Sequence, residues 1–189
     1  MMEKAMIFVD GANLNLSAES LEFYVDYGGL KNCLEKYLED KNYRLIRPYY
    51  YSSDDNHPSR RKFFDKLETL GYDLRLTPIA KRGVKNVQKG VDIQLAIEML
   101  YFGFRENYAI AILCSGDQDF IPLVKTVKDM GKKVIVAAFD HSCAEKMKRI
   151  PDGYINLTKH IDKIRSGKKV CCREVGRWFT RAVTGKFTR

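Results

Sequence analysis

The stretch Ile110-Ala111-Ile112-Leu113-Cys114-Ser115-Gly116-Asp117-Gln118-Asp119-Phe120 constrains the fold more than any other part of the chain. Its unbroken apolar run reads as a strand buried on both faces, the pattern of a parallel sheet. Ser115-Gly116 breaks the run, and two aspartates follow with one residue between them. Phe120, Leu123, Val124 and Val127 then recur at spacings of three and four, so a helix begins there. Asp117 and Asp119 are thereby placed at the carboxyl end of a central strand, the edge at which open α/β sheets hold their ligands. Ser115, Asp117 and Asp119 are also good helix caps, and capping alone accounts for at least one acid.

The same pattern occurs at the start of the chain. Ala5-Met6-Ile7-Phe8-Val9-Asp10 is an apolar run ending in an acid, followed by Gly11-Ala12-Asn13 and a helical spacing through Leu14 and Leu21. Asp10 is expected at the end of the first strand. Asn13 is expected on the turn beyond it, with an amide suited to hold a carboxylate or a substrate phosphate. Leu30 to Tyr37 reads as a helix opened by Gly28-Gly29. Tyr43 to Tyr51 reads as a second strand, with Pro48 marking an irregular or edge-proximal section. Ser52 to Ser59 reads as a polar loop, Arg60 to Gly71 as a helix and Tyr72 to Pro78 as a third strand.

A basic loop over Lys81 to Gly90, carrying Lys81, Arg82, Lys85 and Lys89, leads to a helix from Val91 with Asp92 in its first turn. An acid there gains about 0.3–1 kcal/mol from the helix dipole, which is sufficient reason for Asp92 on its own. Asn107 to Ser115 is the fourth strand and Lys132 to Phe139 the fifth. A short helix over Cys143 to Ile150, a short strand over Tyr154 to Leu157 and a last helix over Thr158 to Ile164 complete the pattern. Strands alternating with helices imply a mainly parallel sheet of five or six strands between two helical layers, a three-layer α/β/α sandwich. All its strands share one carboxyl edge. There Asp10, Asp117 and Asp119 are expected to converge, with Asp92 brought in by its helix.

Four neighbouring carboxylates repel one another, so a proton or a cation must offset them. Oxygen ligands without His or Cys select magnesium or manganese rather than zinc. An ion of this kind assists attack on a phosphate ester, and the basic loop on the same side of the sheet is placed to grip a polyanion. An ordinary solvated loop explains those cations equally well. The formal net charge of +9 agrees with a polyanionic partner. Cys33, Cys114, Cys143, Cys171 and Cys172 are odd in number and scattered, which argues against a disulfide framework. No apolar run approaches the roughly 20 residues of a membrane helix. Met1-Met2-Glu3-Lys4 leads straight into the first strand, too short for a signal peptide, so a cytoplasmic protein is expected.

Val9-Asp10-Gly11-Ala12-Asn13, Lys89-Gly90-Val91-Asp92 and Ser115-Gly116-Asp117-Gln118-Asp119-Phe120, in that order, resemble the NYN domain of the LabA-like group, in the PIN-like nuclease superfamily. The resemblance covers about Lys4 to Ile164. It implies a Rossmann-like (PIN-like) α/β/α sandwich and metal-dependent cleavage of RNA by hydrolysis, with Mg2+ or Mn2+ held by the motif acids Asp10, Asp92, Asp117 and Asp119. By the same resemblance Asn13 is the polar residue of the first motif and Lys89 a phosphate contact. Ser115 stands between capping and contact with the site. Tyr49, Tyr50 and Tyr51 offer either base stacking or, for at least two of them, packing.

The alternative function is a non-catalytic module that binds RNA or a regulatory partner in the same groove. A phosphatase or nucleotide-binding enzyme is disfavoured. No Gly-x-Gly-x-x-Gly follows the first strand, no P-loop is present, and a haloacid-dehalogenase-like enzyme carries its Asp-x-Asp after the first strand rather than the fourth. The expected domain spans residues 1–164 and a basic tail spans 165–189. In the tail Val175, Trp178, Phe179, Ala182 and Val183 recur at helical spacing, with Arg173, Arg177 and Arg181 on another flank. Packing on the domain, contact with RNA, and docking on an anionic surface or a partner are its three readings. Its apolar stripe also allows homo-oligomers.

Overall fold

The computed structural model describes residues 2–54, 57–78, 80–82, 85–87 and 90–169. β1 (Glu3–Asp10) is paired on one side with β3 (Tyr43–Asp54) and on the other with β7 (Ile110–Cys114). β4 (Asp73–Pro78) lies beyond β3, while β8 (Lys133–Ala138) and β9 (Gly153–Asn156) lie beyond β7. The order is β4-β3-β1-β7-β8-β9, and every pair in this six-stranded sheet is parallel. The chain winds outward in opposite directions from β1 and β7. The crevice between their carboxyl ends is therefore the topological switch point of the sheet.

Alternation along β1 explains the layers. Ile7 and Val9 face a core shared with α1 (Gly11–Glu19), α2 (Tyr27–Glu39), α3 (Pro58–Thr69) and α7 (Ile161–Ile164). Met6 and Phe8 face a second core shared with α4 (Val91–Phe104), α5 (Ile121–Asp129) and α6 (Glu145–Arg149). The central strands are apolar at successive positions because both of their faces are covered. Asp26 caps α2 by accepting a hydrogen bond from the Gly28 amide at 3.0 Å. No helix among the described residues is long and apolar enough to cross a membrane. Cys33, Cys114 and Cys143 are free thiols.

Several expected elements differ. A short strand unforeseen in the sequence, β2 (Phe23–Val25), separates α1 from α2. It pairs antiparallel with β10 (Arg165–Lys169), the first residues assigned above to the tail. The rest of the tail, including Cys171 and Cys172, lies outside the described residues. The basic loop is a hairpin of β5 (Ala80–Arg82) and β6 (Lys85–Val87), and Lys89 lies outside the described residues. The polar loop expected from Ser52 is still strand as far as Asp54. Ser52 and Ser53 are buried there, and the Arg60 guanidinium donates to the Ser52 hydroxyl and the Ser53 carbonyl. That ion-assisted bonding lets polar residues continue a buried strand. Pro48 lies in an interior strand, yet in the part of β3 that β4 does not reach and beside a register shift opposite Ala5/Met6. A residue without an amide proton is tolerated in such a place.

Tyr49, Tyr50 and Tyr51 are all buried, which removes the base-stacking reading. The Tyr51 hydroxyl donates to Glu98 at 2.9 Å, and the Tyr50 hydroxyl accepts from Asn15 at 3.1 Å. Tyr50 also sets how closely α1 approaches the sheet. A Cβ on Gly11 would lie 2.3 Å from the Tyr50 ring. The substitution Gly11→Ala is expected to lower unfolding free energy by about 1–3 kcal/mol through overpacking. Gly167→Ala, whose Cβ meets open space, should change it by no more than about 0.5 kcal/mol. Urea unfolding of the two variants measures the difference.

Candidate active site

β1 and β7 deliver Asp10 and Ser115-Gly116-Asp117 to neighbouring positions at the switch point. Asp10 ends β1 and caps α1, its Oδ1 accepting from the Asn13 amide at 3.1 Å. Its Oδ2 accepts from the fully buried Ser115 hydroxyl at 3.0 Å. The Ser115 Oγ in turn accepts from the Asp117 amide at 3.2 Å. Asn13 closes the arrangement from the other side, its Oδ1 accepting from the Gly116 amide at 3.0 Å. The turn after β1 and the turn after β7 are thus braced against each other by Ser115 and Asn13. Gly116 is required for close packing, since a Cβ there would lie 2.6 Å from the Ser142 carbonyl oxygen.

Asp117 caps the 3-10 turn Gln118–Phe120 that opens α5, its Oδ1 accepting from the Asp119 amide at 3.0 Å. Capping is therefore a real role of this acid, and it also leaves Asp117 and Asp119 lining a groove between α4 and α5. The groove has a volume of about 340 Å³, with Asp92 at the same end and Ile93, Leu100 and Phe120 along its walls. Asp92 enters through Gly90, whose left-handed backbone (φ 105) turns the chain into α4. A larger hollow of about 590 Å³ lies between α2 and α7, but it holds none of these acids. Chemistry rather than size selects the groove.

Electrostatics ties the acids together. Asp10 is only 4% exposed. Burial pushes its carboxyl up to about 6, and the charges of Asp92 and Asp117 add to the rise against the two hydrogen bonds. The carboxyl of Asp92 is also raised, first by its enclosure at the groove wall and then by Asp117 and Asp119. The structure thus brings Asp10, Asp92, Asp117 and Asp119 to one rim, together with Asn13 and Ser115, but among the described residues no three of the acids are grouped to hold an ion between them. Ser115 serves both as brace and as neighbour of the acids. Lys81, Arg82 and Lys85 belong to the hairpin that precedes α4.

Sequence reasoning missed how Asn13 works: its carbonyl oxygen holds the opposite turn. It also missed Glu98, which accepts from Tyr51 and from Arg75 at 2.8 Å while bonded to Gln94. An acid inside a helix with no basic residue was the available signal for Glu98.

Over residues 4–158 the chain matches the family model described as the NYN domain. It is 26% identical over 157 residues to the low amplitude and bright protein LabA of Synechococcus elongatus, spanning 80% of this chain and 82% of that protein. The crystal structure of a protein of unknown function from Vibrio parahaemolyticus superposes with a TM-score of 0.73 at 21% identity, covering 87% of this chain and 97% of that one. That likeness establishes the shared fold.

Asp10 binds its proton more tightly when folded than when unfolded, so between pH 4 and 6 the native state carries more protons and stability falls as pH rises. The cost at pH 7 is on the order of 3 kcal/mol. Asp10→Asn keeps the cap and removes the charge. It is expected to melt higher than the parent at pH 7 without divalent ions, with the advantage vanishing near pH 4. Thermal unfolding of both proteins across that range checks the sign.

Proposed function

The chain is a member of the NYN domain family, and on that premise we propose that it is a ribonuclease dependent on a divalent cation, magnesium or manganese. The observation that carries this reading is the placement of the motif acids at the switch point: Ser115 links Asp10 to the Asp117 turn, and Asp92, Asp117 and Asp119 line one groove, so that their charges repel one another. Repulsion of this kind is relieved by a bound cation.

The residues present fit such an ion. The donors are carboxylate oxygens without sulfur or imidazole, as hard cations require. Among the described residues, no three His, Cys, Asp or Glu side chains are grouped so as to hold a metal ion between them. Magnesium does not need such a group, because it commonly takes one or two carboxylates and completes its shell with water and substrate phosphate. Of Asp10, Asp92, Asp117 and Asp119, one or two would touch it directly and the others would act through its bound waters. When bound, such an ion supplies Lewis acidity toward a phosphoryl oxygen and acidifies water.

The rest is done by the chain. Ser115 and the Asn13 amide fix both oxygens of Asp10, so its carboxylate needs little reorganisation on binding. Asn13 and Gly116 hold the two turns at a set separation, and the substrate phosphate lies over them. Lys81, Arg82 and Lys85 on the hairpin, with Lys89 beyond it, draw in the RNA backbone. The +9 net charge favours that encounter and makes it sensitive to salt.

That no three of these acids are grouped to share an ion among the described residues favours a second reading, a module that binds RNA without turnover. One experiment separates the two. Purified protein is incubated with RNA and DNA panels in Mg2+, in Mn2+ and in excess chelator, beside Asp117→Asn. The nuclease reading expects RNA cleavage that needs the ion and is abolished in Asp117→Asn, with the fold retained. Full cutting in chelator or in Asp117→Asn contradicts it. RNA that is bound but stays whole in Mn2+ supports the second reading.

A further inference from the structure

The outer face of α4 differs from every other surface among the described residues. Ile93, Ile97, Tyr101 and Phe104 are 64%, 61%, 56% and 78% exposed. Their spacings of four, four and three residues place them in one stripe along the helix. The remaining exposed large apolar residues described, Met2, Leu21 and Ile46, are scattered among other elements. A contiguous stripe of this kind marks a surface that something covers.

Charge narrows what the cover is. The sequence of α4 holds no Lys or Arg; its charged residues are Asp92 and Glu98, and Glu98 is paired with Arg75 of β4. The groove alongside carries Asp92, Asp117 and Asp119 at one end. Without a bound cation, a nucleic-acid backbone or an anionic membrane is repelled by such a face. Its complement is a segment that is apolar on one side and basic on another. A second α4 would oppose acid to acid.

The chain itself contains that complement. Residues 170–189, outside the described residues, pair the apolar positions Val175, Trp178, Phe179, Ala182 and Val183 with Arg173, Arg177 and Arg181. We propose that this C-terminal segment docks on α4 of its own domain. Trp178 and its apolar neighbours cover Ile97, Tyr101 and Phe104, and the arginines lie toward the acids at the groove end.

The route is short enough. Lys169 is registered opposite Phe23, and Phe23 packs edge-on against Phe139 at the end of β8. The turn that follows Phe139 abuts Gly116. The segment therefore leaves the described fold close to the same sheet edge as the acids. From Lys169 to Trp178 the chain reaches about 30 Å if extended, and on the order of 20 Å if the helix starts near Val175. Crossing one sheet and one helical layer takes about 20 Å. Docking does not depend on the nuclease reading.

Trp178 is the sole tryptophan of the protein, so its fluorescence reports this segment alone. In the full chain, without RNA or lipid, its emission is expected to be blue-shifted and protected from acrylamide at all protein concentrations. Ile97→Glu and Phe104→Ser, both on exposed side chains, should return it to solvent-like emission while the far-UV circular dichroism and the Gly11-dependent core stay unchanged. Solvent-like emission in the parent protein overturns the proposal. So does a blue shift that survives Ile97→Glu, which places the segment elsewhere. A shift that appears only with rising protein concentration, with added RNA or with phosphatidylserine vesicles also overturns it, naming a second copy, RNA or a membrane as the occupant.

Discussion

The Asp10 carboxylate is buried beside other acids, and the architecture around it works to keep it there. Left to itself, a group in that position would turn outward or hold its proton. Ser115 and the Asn13 amide each engage one of its oxygens, and Asn13 also fastens the opposing turn through Gly116. The six-stranded sheet beneath provides the rigidity, with β1 and β7 paired and apolar on both faces. The fold tolerates a locally unfavourable arrangement at the one edge where a ligand would offset the cost, which is how strain at functional sites is usually carried. Membership of the NYN domain family suggests a nuclease at that edge.

The sheet was legible because burial on two faces writes itself into sequence. Val9 and Cys114 sit in runs that only a central parallel strand explains, and the acids that end those runs are placed by topology without any coordinates. Helix α4 and its Asp92 followed from the same logic. What escaped was set by contacts that have no periodicity. β2 is three residues long and exists through its pairing with β10, more than a hundred residues away in the chain. Ser52 and Ser53 look like loop residues until Arg60 supplies their partners. The basic stretch after β4 shows no alternation strong enough to separate a hairpin from a loop, and only pairing distinguishes them.

The candidate site divides in the same way. The identities of its acids were available from spacing and from family resemblance, but their mode of support was not. Asn13 appeared suited to a substrate and proves to hold a backbone amide. Asp117 appeared to choose between capping and chemistry and does the first while facing the groove of the second. Polar residues at a switch point serve two purposes because few positions reach it. Glu98 illustrates the converse: a buried-side acid whose bonds to Tyr51, Arg75 and Gln94 join α4 to β3 and β4, steadying the helix that presents Asp92.

If the proposed function holds, a divalent ion binds at the rim that Asp10, Asp92, Asp117 and Asp119 share, through one or two of these carboxylates. Paramagnetic broadening by substoichiometric Mn2+ in amide NMR spectra tests it most directly. The account predicts that the signals of Asn13, Asp92, Gly116, Asp117 and Asp119 fade first, that excess Mg2+ restores them, and that residues at the opposite edge such as Lys133 are untouched. Broadening centred elsewhere, or none at these residues, would contradict it.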